Sequence, residues 1–98
     1  MYDDEVMEIA GLCRALGNPH RVKIMKILSE QPEDSQCMVG SIVEQLSISQ
    51  STVSQHLKQL KEVGLIKGRI EGPSVCYCLD EDALQRLRYL MDNLEAYR

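Results

Sequence analysis

Between Ser47 and Ile66 the chain reads SISQSTVSQHLKQLKEVGLI, and within it Val53, Leu57 and Leu60 are separated by four and then three positions. That spacing sets their side chains on one face of an α-helix, and Gly64 supplies a residue at which such a helix can stop. A helix with one sealed face must turn its other residues outward. Here those are Gln50, Ser51, Thr52, Ser54, Gln55, His56 and Lys58. Ser and Thr are weak helix formers, because their hydroxyls compete for backbone bonds and Thr loses rotamer freedom. Their concentration on one face therefore costs helix stability and calls for a recipient outside the fold.

The flanking pattern says what holds this helix. Val39, Ile42, Val43 and Leu46 predict a short helix from Met38. A Ser47-Ile48-Ser49 corner follows, and Ser49 is placed to cap a helix over 50 to about 63. Two helices joined by a three-residue corner and locked through Leu46, Ile48, Val53, Leu57 and Leu60 make a helix-turn-helix over about 38–63. After Gly64, the run LIKGRIEGPSVCYCL alternates residue by residue around the turn EGPS, the pattern of a β-hairpin over about 65–79, with arms 65–70 and 75–79. A helix-turn-helix followed by such a wing is a winged helix-turn-helix.

Three further helices complete the chain. Val6, Ile9, Ala10, Cys13 and Leu16 mark one over about 3–16, closed by Gly17. Asn18 and Pro19 begin a second, with Val22, Ile24, Met25, Ile27 and Leu28 as a broad apolar face. Leu84, Leu87, Leu90, Met91 and Leu94 mark a last helix over about 81–97. With no internal repeat, linker or low-complexity tract, residues 1–98 read as a single, mainly α domain with a small β-hairpin. A chain of this length buries only about 60–65% of its unfolded surface, and it has no Trp or Phe. Pairing of two copies through the terminal helices would cover the stripe of the last one and supplement a thin core.

The second helix of a helix-turn-helix enters the major groove of DNA by its N-terminus. Gln makes a two-point contact with adenine, and Ser or Thr hydroxyls bond base edges or phosphates. Gln50, Ser51, Thr52, Ser54, Gln55 and Lys58 are accordingly assigned to DNA. His56 is either a phosphate contact or an edge residue bonded within the fold. On the wing, Lys67, Arg69 and Ser74 are placed to reach phosphates or the minor groove, which sets affinity and salt dependence rather than sequence. Lys67 reads equally well as ordinary protection of an exposed strand edge.

The formal net charge of −4 argues against indiscriminate polyanion binding. The sum conceals a pattern: residues 1–10 carry Asp3, Asp4, Glu5 and Glu8 with no base, whereas 49–70 carry Lys58, Lys61, Lys67 and Arg69 against Glu62 alone. A second basic cluster comprises His20, Arg21, Lys23 and Lys26. No apolar run approaches the roughly 18 residues that span a bilayer, and the start MYDDEVMEIA is acidic where a secretion signal is basic. The expectation is a cytoplasmic chain with no membrane partner. No nucleophile–base spacing, glycine-rich phosphate loop or converging carboxylates with His are present, so an enzyme is not expected. The principal alternative is a winged-helix module that binds a protein through the same polar helix.

The segments ALGNPHRVKIMKIL and SISQSTVSQHLKQLKEVGLIKGRIEGPSVCYCL together resemble the ArsR/SmtB winged-helix repressors, and the likeness spans nearly the whole chain. The resemblance implies a homodimer joined by first and last helices, bound to an imperfect palindrome in double-stranded DNA and released by an inducer. It places the positions of Gln50, Ser51, Ser54 and His56 on DNA. Metal-sensing relatives often carry Cys-Val-Cys at the start of the third helix. Here Met38-Val39-Gly40 stands in that place, with Cys37 one position early. Relatives that bind zinc through the last helix use Asp and His, and LDEDALQRLRYLMDNLEAYR has no His. No metal or other cofactor is therefore expected at these family sites.

What remains for an inducer is thiol chemistry. The four cysteines, Cys13, Cys37, Cys76 and Cys78, lack the paired CxxC spacing of structural zinc and are expected to be reduced. Cys76 and Cys78 alternate in a strand and share a face opposite Val75, Tyr77 and Leu79. With Val75 and Leu79 toward the core, both sulfurs would face out. Such a pair, with Cys37 as a third ligand, would suit a soft species such as As(III), or oxidation and persulfide chemistry. The alternative is that they are small half-buried strand residues. Cys13 is read as core or dimer interface, and Met7, Met38 and Met91 as packing.

Overall fold

The computed structural model describes residues 2–31 and 39–95. In chain order the elements are α1 (Asp4–Leu16), α2 (Pro19–Ser29), α3 (Val39–Leu46), α4 (Gln50–Glu62), β1 (Ile66–Glu71), β2 (Ser74–Leu79) and α5 (Glu81–Asn93). The helix-turn-helix and wing stand where the sequence placed them. Cys37, Met38 and the end of the last predicted helix lie outside the described residues.

Caps set the helix boundaries. A side-chain oxygen of Asp3 accepts from the N–H of Val6 at 2.9 Å, that of Asn18 from His20 at 2.8 Å, and that of Asp80 from Ala83 at 3.2 Å. Each satisfies a helix N–H that has no partner within its own helix. Pro19 at the first position of α2 has no N–H to satisfy. The end of α4 is equally defined. Gly64, at φ +81°, donates to the carbonyl of Lys61 at 3.0 Å, and Leu65 donates to that of Leu60 at 3.1 Å. This is a Schellman closure, with its apolar contact supplied by the fully buried Leu60 and Leu65.

One core joins all these elements. Ile24, Ile42, Val53, Leu57, Leu60, Leu65 and Ile66 are essentially sealed, and Leu12, Ala15, Leu28 and Leu90 extend the cluster into α1, α2 and α5. The hairpin is a two-stranded antiparallel sheet in which Ile66 pairs with Leu79, Lys67 with Cys78, Gly68 with Tyr77, Arg69 with Cys76 and Ile70 with Val75. Its turn is the two-residue Gly72-Pro73 loop, shorter than expected because Glu71 and Ser74 also pair. Gly72 at φ +60° fits the Gly-first form that suits a twisted hairpin. The terminal helices are tied by Arg86, whose Nε and Nη2 donate to the two carboxylate oxygens of Glu8 at 3.0 and 2.9 Å.

Several residues of the predicted apolar stripes lie outside the monomer core. On α1, Ile9 and Leu16 of the predicted stripe pack, partly buried, beside the buried Leu12 and Ala15, whereas Val6, Ala10 and Cys13 are exposed. A helix this short has room for two apolar stripes, and the periodicity of the outer one does not say which covers the core. Val22 of α2, Met7, Met91 and Leu94 are also exposed. The terminal helices therefore carry an outer apolar surface that the monomer leaves uncovered.

Candidate nucleic-acid interface

The corner before α4 turns on one residue. Ser47 takes φ +57°, a left-handed conformation that costs a non-glycine residue about 1–2 kcal/mol, and its N–H donates to the carbonyl of Val43 at 3.1 Å. The chain thereby leaves α3 and enters Ile48-Ser49. The hydroxyl of Ser49 accepts from the N–H of Thr52 at 3.2 Å, and it lies 2.8 Å from the Thr52 hydroxyl and 3.2 Å from that of Ser51. These three hydroxyls form one cluster at the positive end of the helix dipole.

From that cap, α4 presents Gln50, Ser51, Thr52, Ser54, Gln55 and Lys58 to solvent, while Val53, Leu57 and Leu60 are 0%, 1% and 0% exposed. All six assigned residues other than His56 thus stand clear of the protein on a helix anchored along its opposite side. The hydroxyls of Ser51 and Thr52 already help close the cap, a duty the sequence reading did not assign to them. Gln59 is exposed as well and continues the polar face past Gln55, four residues on; its helical spacing was the available signal.

His56 is the exception. It is half-buried, its Nδ1 lies 3.3 Å from Nη1 of Arg21, and its ring centre is 5.6 Å from that of His20. Burial first, and then the charges of Arg21 and His20, hold its pKa below the ordinary histidine value. Of the two readings of His56, the structure bears out the bond within the fold. Arg21 also donates through Nε to the carbonyl of Ala15 and through Nη2 to that of Arg14 at 3.4 Å. The basic cluster at 20–26 was legible in the sequence. The bond from Arg21 across 35 positions was not.

On the wing, Lys67 and Arg69 are exposed and point from the same face of β1, two residues apart. Ser74 is half-buried and paired with Glu71, so Gly72 and Pro73 form the tip in its stead. The two strand thiols share that face but not its exposure. Cys76 is 5% exposed in a strand that packs on α2 and α3, whereas Cys78 is exposed, with its sulfur 3.9 Å from the carbonyl of Lys67. The expectation that both sulfurs face out is overturned at Cys76: strand alternation fixes the face, and tertiary packing decides how much of it is covered. Val75, expected inside, is 36% exposed. Cys78 borders a surface cavity of about 470 Å³ shared with Leu28, Ser29, Lys67, Arg69 and Asp80. Among the described residues no three His, Cys, Asp or Glu side chains are grouped to hold a metal ion, and no helix is long and apolar enough to cross a membrane.

A capped helix with a free polar face, set behind a tight corner and followed by a basic hairpin, defines a winged helix-turn-helix of the kind that reads DNA. Residues 18–67, half of the chain, match the family described as bacterial regulatory protein, arsR family. The chain belongs to that family of transcriptional regulators. It is 40% identical over 81 residues to a cadmium resistance transcriptional regulatory protein CadC homolog of Staphylococcus aureus, covering 83% of this chain and 64% of that protein. It is 39% identical over 84 residues to the HTH-type transcriptional repressor SmtB of Mycobacterium tuberculosis, covering 85% and 59%. The chain thus spans about 60% of the length of these two relatives. The crystal structure of a possible transcriptional regulator for arsenical resistance superposes with a TM-score of 0.72 at 30% identity, covering 86% of this chain and 82% of the other.

Proposed function

We propose that the chain is a sequence-specific transcriptional repressor that binds a palindromic operator as a homodimer and leaves it when an inducer binds. The observation that carries this reading is the division of α4: three sealed apolar residues on one side, and Gln50, Ser51, Ser54, Gln55 and Lys58 exposed on the other. Lys67 and Arg69 of the wing add phosphate contacts. Pairing is supported by the uncovered apolar surface of α1 and α5, where Val6, Met7, Met91 and Leu94 are exposed. A two-fold dimer covers such a surface and sets two recognition helices about one turn of duplex apart. Likeness to the SmtB repressor at 39% identity supports repression, set against 32% to the transcriptional activator HlyU of Vibrio cholerae.

The test is a gel shift of the dimer on a duplex that it selects from a random pool. Binding in the nanomolar range that weakens steeply with salt is expected, and equal affinity for a scrambled duplex would refute sequence reading. Gln50→Ala should relax base preference, while Lys67→Ala should weaken all duplexes alike. For release, the reduced complex is titrated with As(III), Zn(II), peroxide and persulfide. A thiol-dependent response is expected to be lost in Cys78→Ser rather than in Cys76→Ser, because the Cys78 sulfur is the accessible one of the two.

A further inference from the structure

Arg21 makes its three side-chain contacts in two places: the carbonyls of Ala15 and Arg14 in the last turn of α1, and Nδ1 of His56 in the middle of α4. A guanidinium carries donors only, so Nδ1 must be the accepting nitrogen, and the imidazole is neutral with its proton on Nε2. The end of α1 suits the cation, since helix carbonyls there carry partial negative charge. One side chain thus ties the groove-facing helix to a terminal helix that carries the uncovered apolar surface.

We propose that Arg21 is a positioning residue for α4: it holds neutral His56 against the last turn of α1, and DNA affinity falls when that imidazole takes up a proton. The inference rests on the DNA-binding role proposed above. A proton on Nδ1 removes the acceptor and sets a cation 3.3 Å from a guanidinium that stays tied to the α1 carbonyls of Ala15 and Arg14. The charged groups facing the ring are Arg21 and His20, both from α2. Glu44 of α3, Lys67 and Arg69 of β1 and Arg14 of α1 do not contribute to its shift. Among the described residues no acidic group is there to welcome the added charge.

The sign follows from linkage. The folded chain holds His56 below its ordinary value, so between the folded pKa and about 6.5 the unfolded chain binds more protons. The tie is complete above about pH 6.5 and is lost as pH falls. A direct His56–phosphate contact has the opposite sign, because protonation would add an attractive charge and strengthen binding.

The experiment measures affinity for the selected duplex at about pH 7.5 and about pH 5.5, at fixed ionic strength, for the wild type, His56→Asn, Arg21→Lys and Arg21→Gln. Asn places an oxygen near the position of Nδ1, accepts from Arg21 and does not titrate. The expected results are a loss of about threefold in wild-type affinity at the lower pH, near-wild-type binding by His56→Asn at the higher pH, and no pH dependence in that variant. Arg21→Lys keeps the charge but not the fork, and should bind about tenfold more weakly at the higher pH with a flattened profile. Circular dichroism at both pH values confirms that each protein is folded. If Arg21→Gln fails to fold, Arg21→Lys and His56→Asn still decide the matter. Affinity that rises with acid, or an equal pH dependence in His56→Asn, overturns the proposal while leaving DNA binding intact. Absence of any selected duplex at the higher pH would overturn the DNA-binding role itself.

Discussion

The helix α4 and the wing follow each other in the chain, yet they are held in different ways. α4 is anchored along its whole length by Val53, Leu57 and Leu60, capped by Ser49 and closed by Gly64 and Leu65. The hairpin is anchored at its base and, on its other face, at the buried Cys76. Ile66 is 2% exposed, and on the same face four residues on Ile70 is 81% exposed. A surface that reads bases needs side chains held in fixed register, whereas one that touches phosphates tolerates a graded attachment. Burial along the two elements fits the division of labour proposed above.

The comparison breaks most readily at Leu57. Truncating this sealed residue to Ala should cost about 3 kcal/mol, the usual range for a Leu that leaves a cavity, read by urea unfolding. A loss below about 1 kcal/mol would mean that α4 collapses onto the gap and is less rigidly seated than its burial implies.

Two left-handed positions bracket α4 and give the next largest effects. Nothing lies within 4 Å of a Cβ built on Gly64, so Gly64→Ala meets no clash and its cost is backbone strain alone, about 1–2 kcal/mol. Ser47 already bears such strain at φ +57°, and Ser47→Gly should recover up to about 1 kcal/mol, less the entropy that glycine loses on folding. Opposite signs in thermal unfolding are the diagnostic. Ser49→Ala should then cost about 1 kcal/mol through the lost cap, and it should weaken DNA binding as well, since it releases the hydroxyls of Ser51 and Thr52.

What the sequence could tell follows from the range of each interaction. α4 and its caps were legible because a period of four and three, a Ser and a Gly are local signals. The hairpin register was nearly legible: the alternation was right, but the turn was read as four residues because nothing in EGPS says whether Glu71 and Ser74 pair. Cys76 and Cys78 were placed on the correct face and given the same exposure, because alternation within a strand does not say what packs over each position. On α1 two apolar stripes compete, Val6-Ala10-Cys13 and Leu12-Ala15, and only tertiary packing chooses between them. The contact of Arg21 with His56 belongs to the same class, since no pattern within either segment points to the other.

The smallest effect is expected at the wing tip. Ile70 is exposed and sits across from the partly exposed Val75, so Ile70→Thr removes little packing. The substitution keeps a β-branched residue suited to a strand. Stability of the free protein should change by less than about 0.5 kcal/mol, against about 3 kcal/mol at Leu57, and that ratio expresses the difference between an element sealed throughout and one fixed at its base. A larger loss that grows with protein concentration would place the tip in a contact between copies. The wing would then be held at both ends, and its freedom to follow a duplex backbone would have to come from somewhere other than its exposed tip.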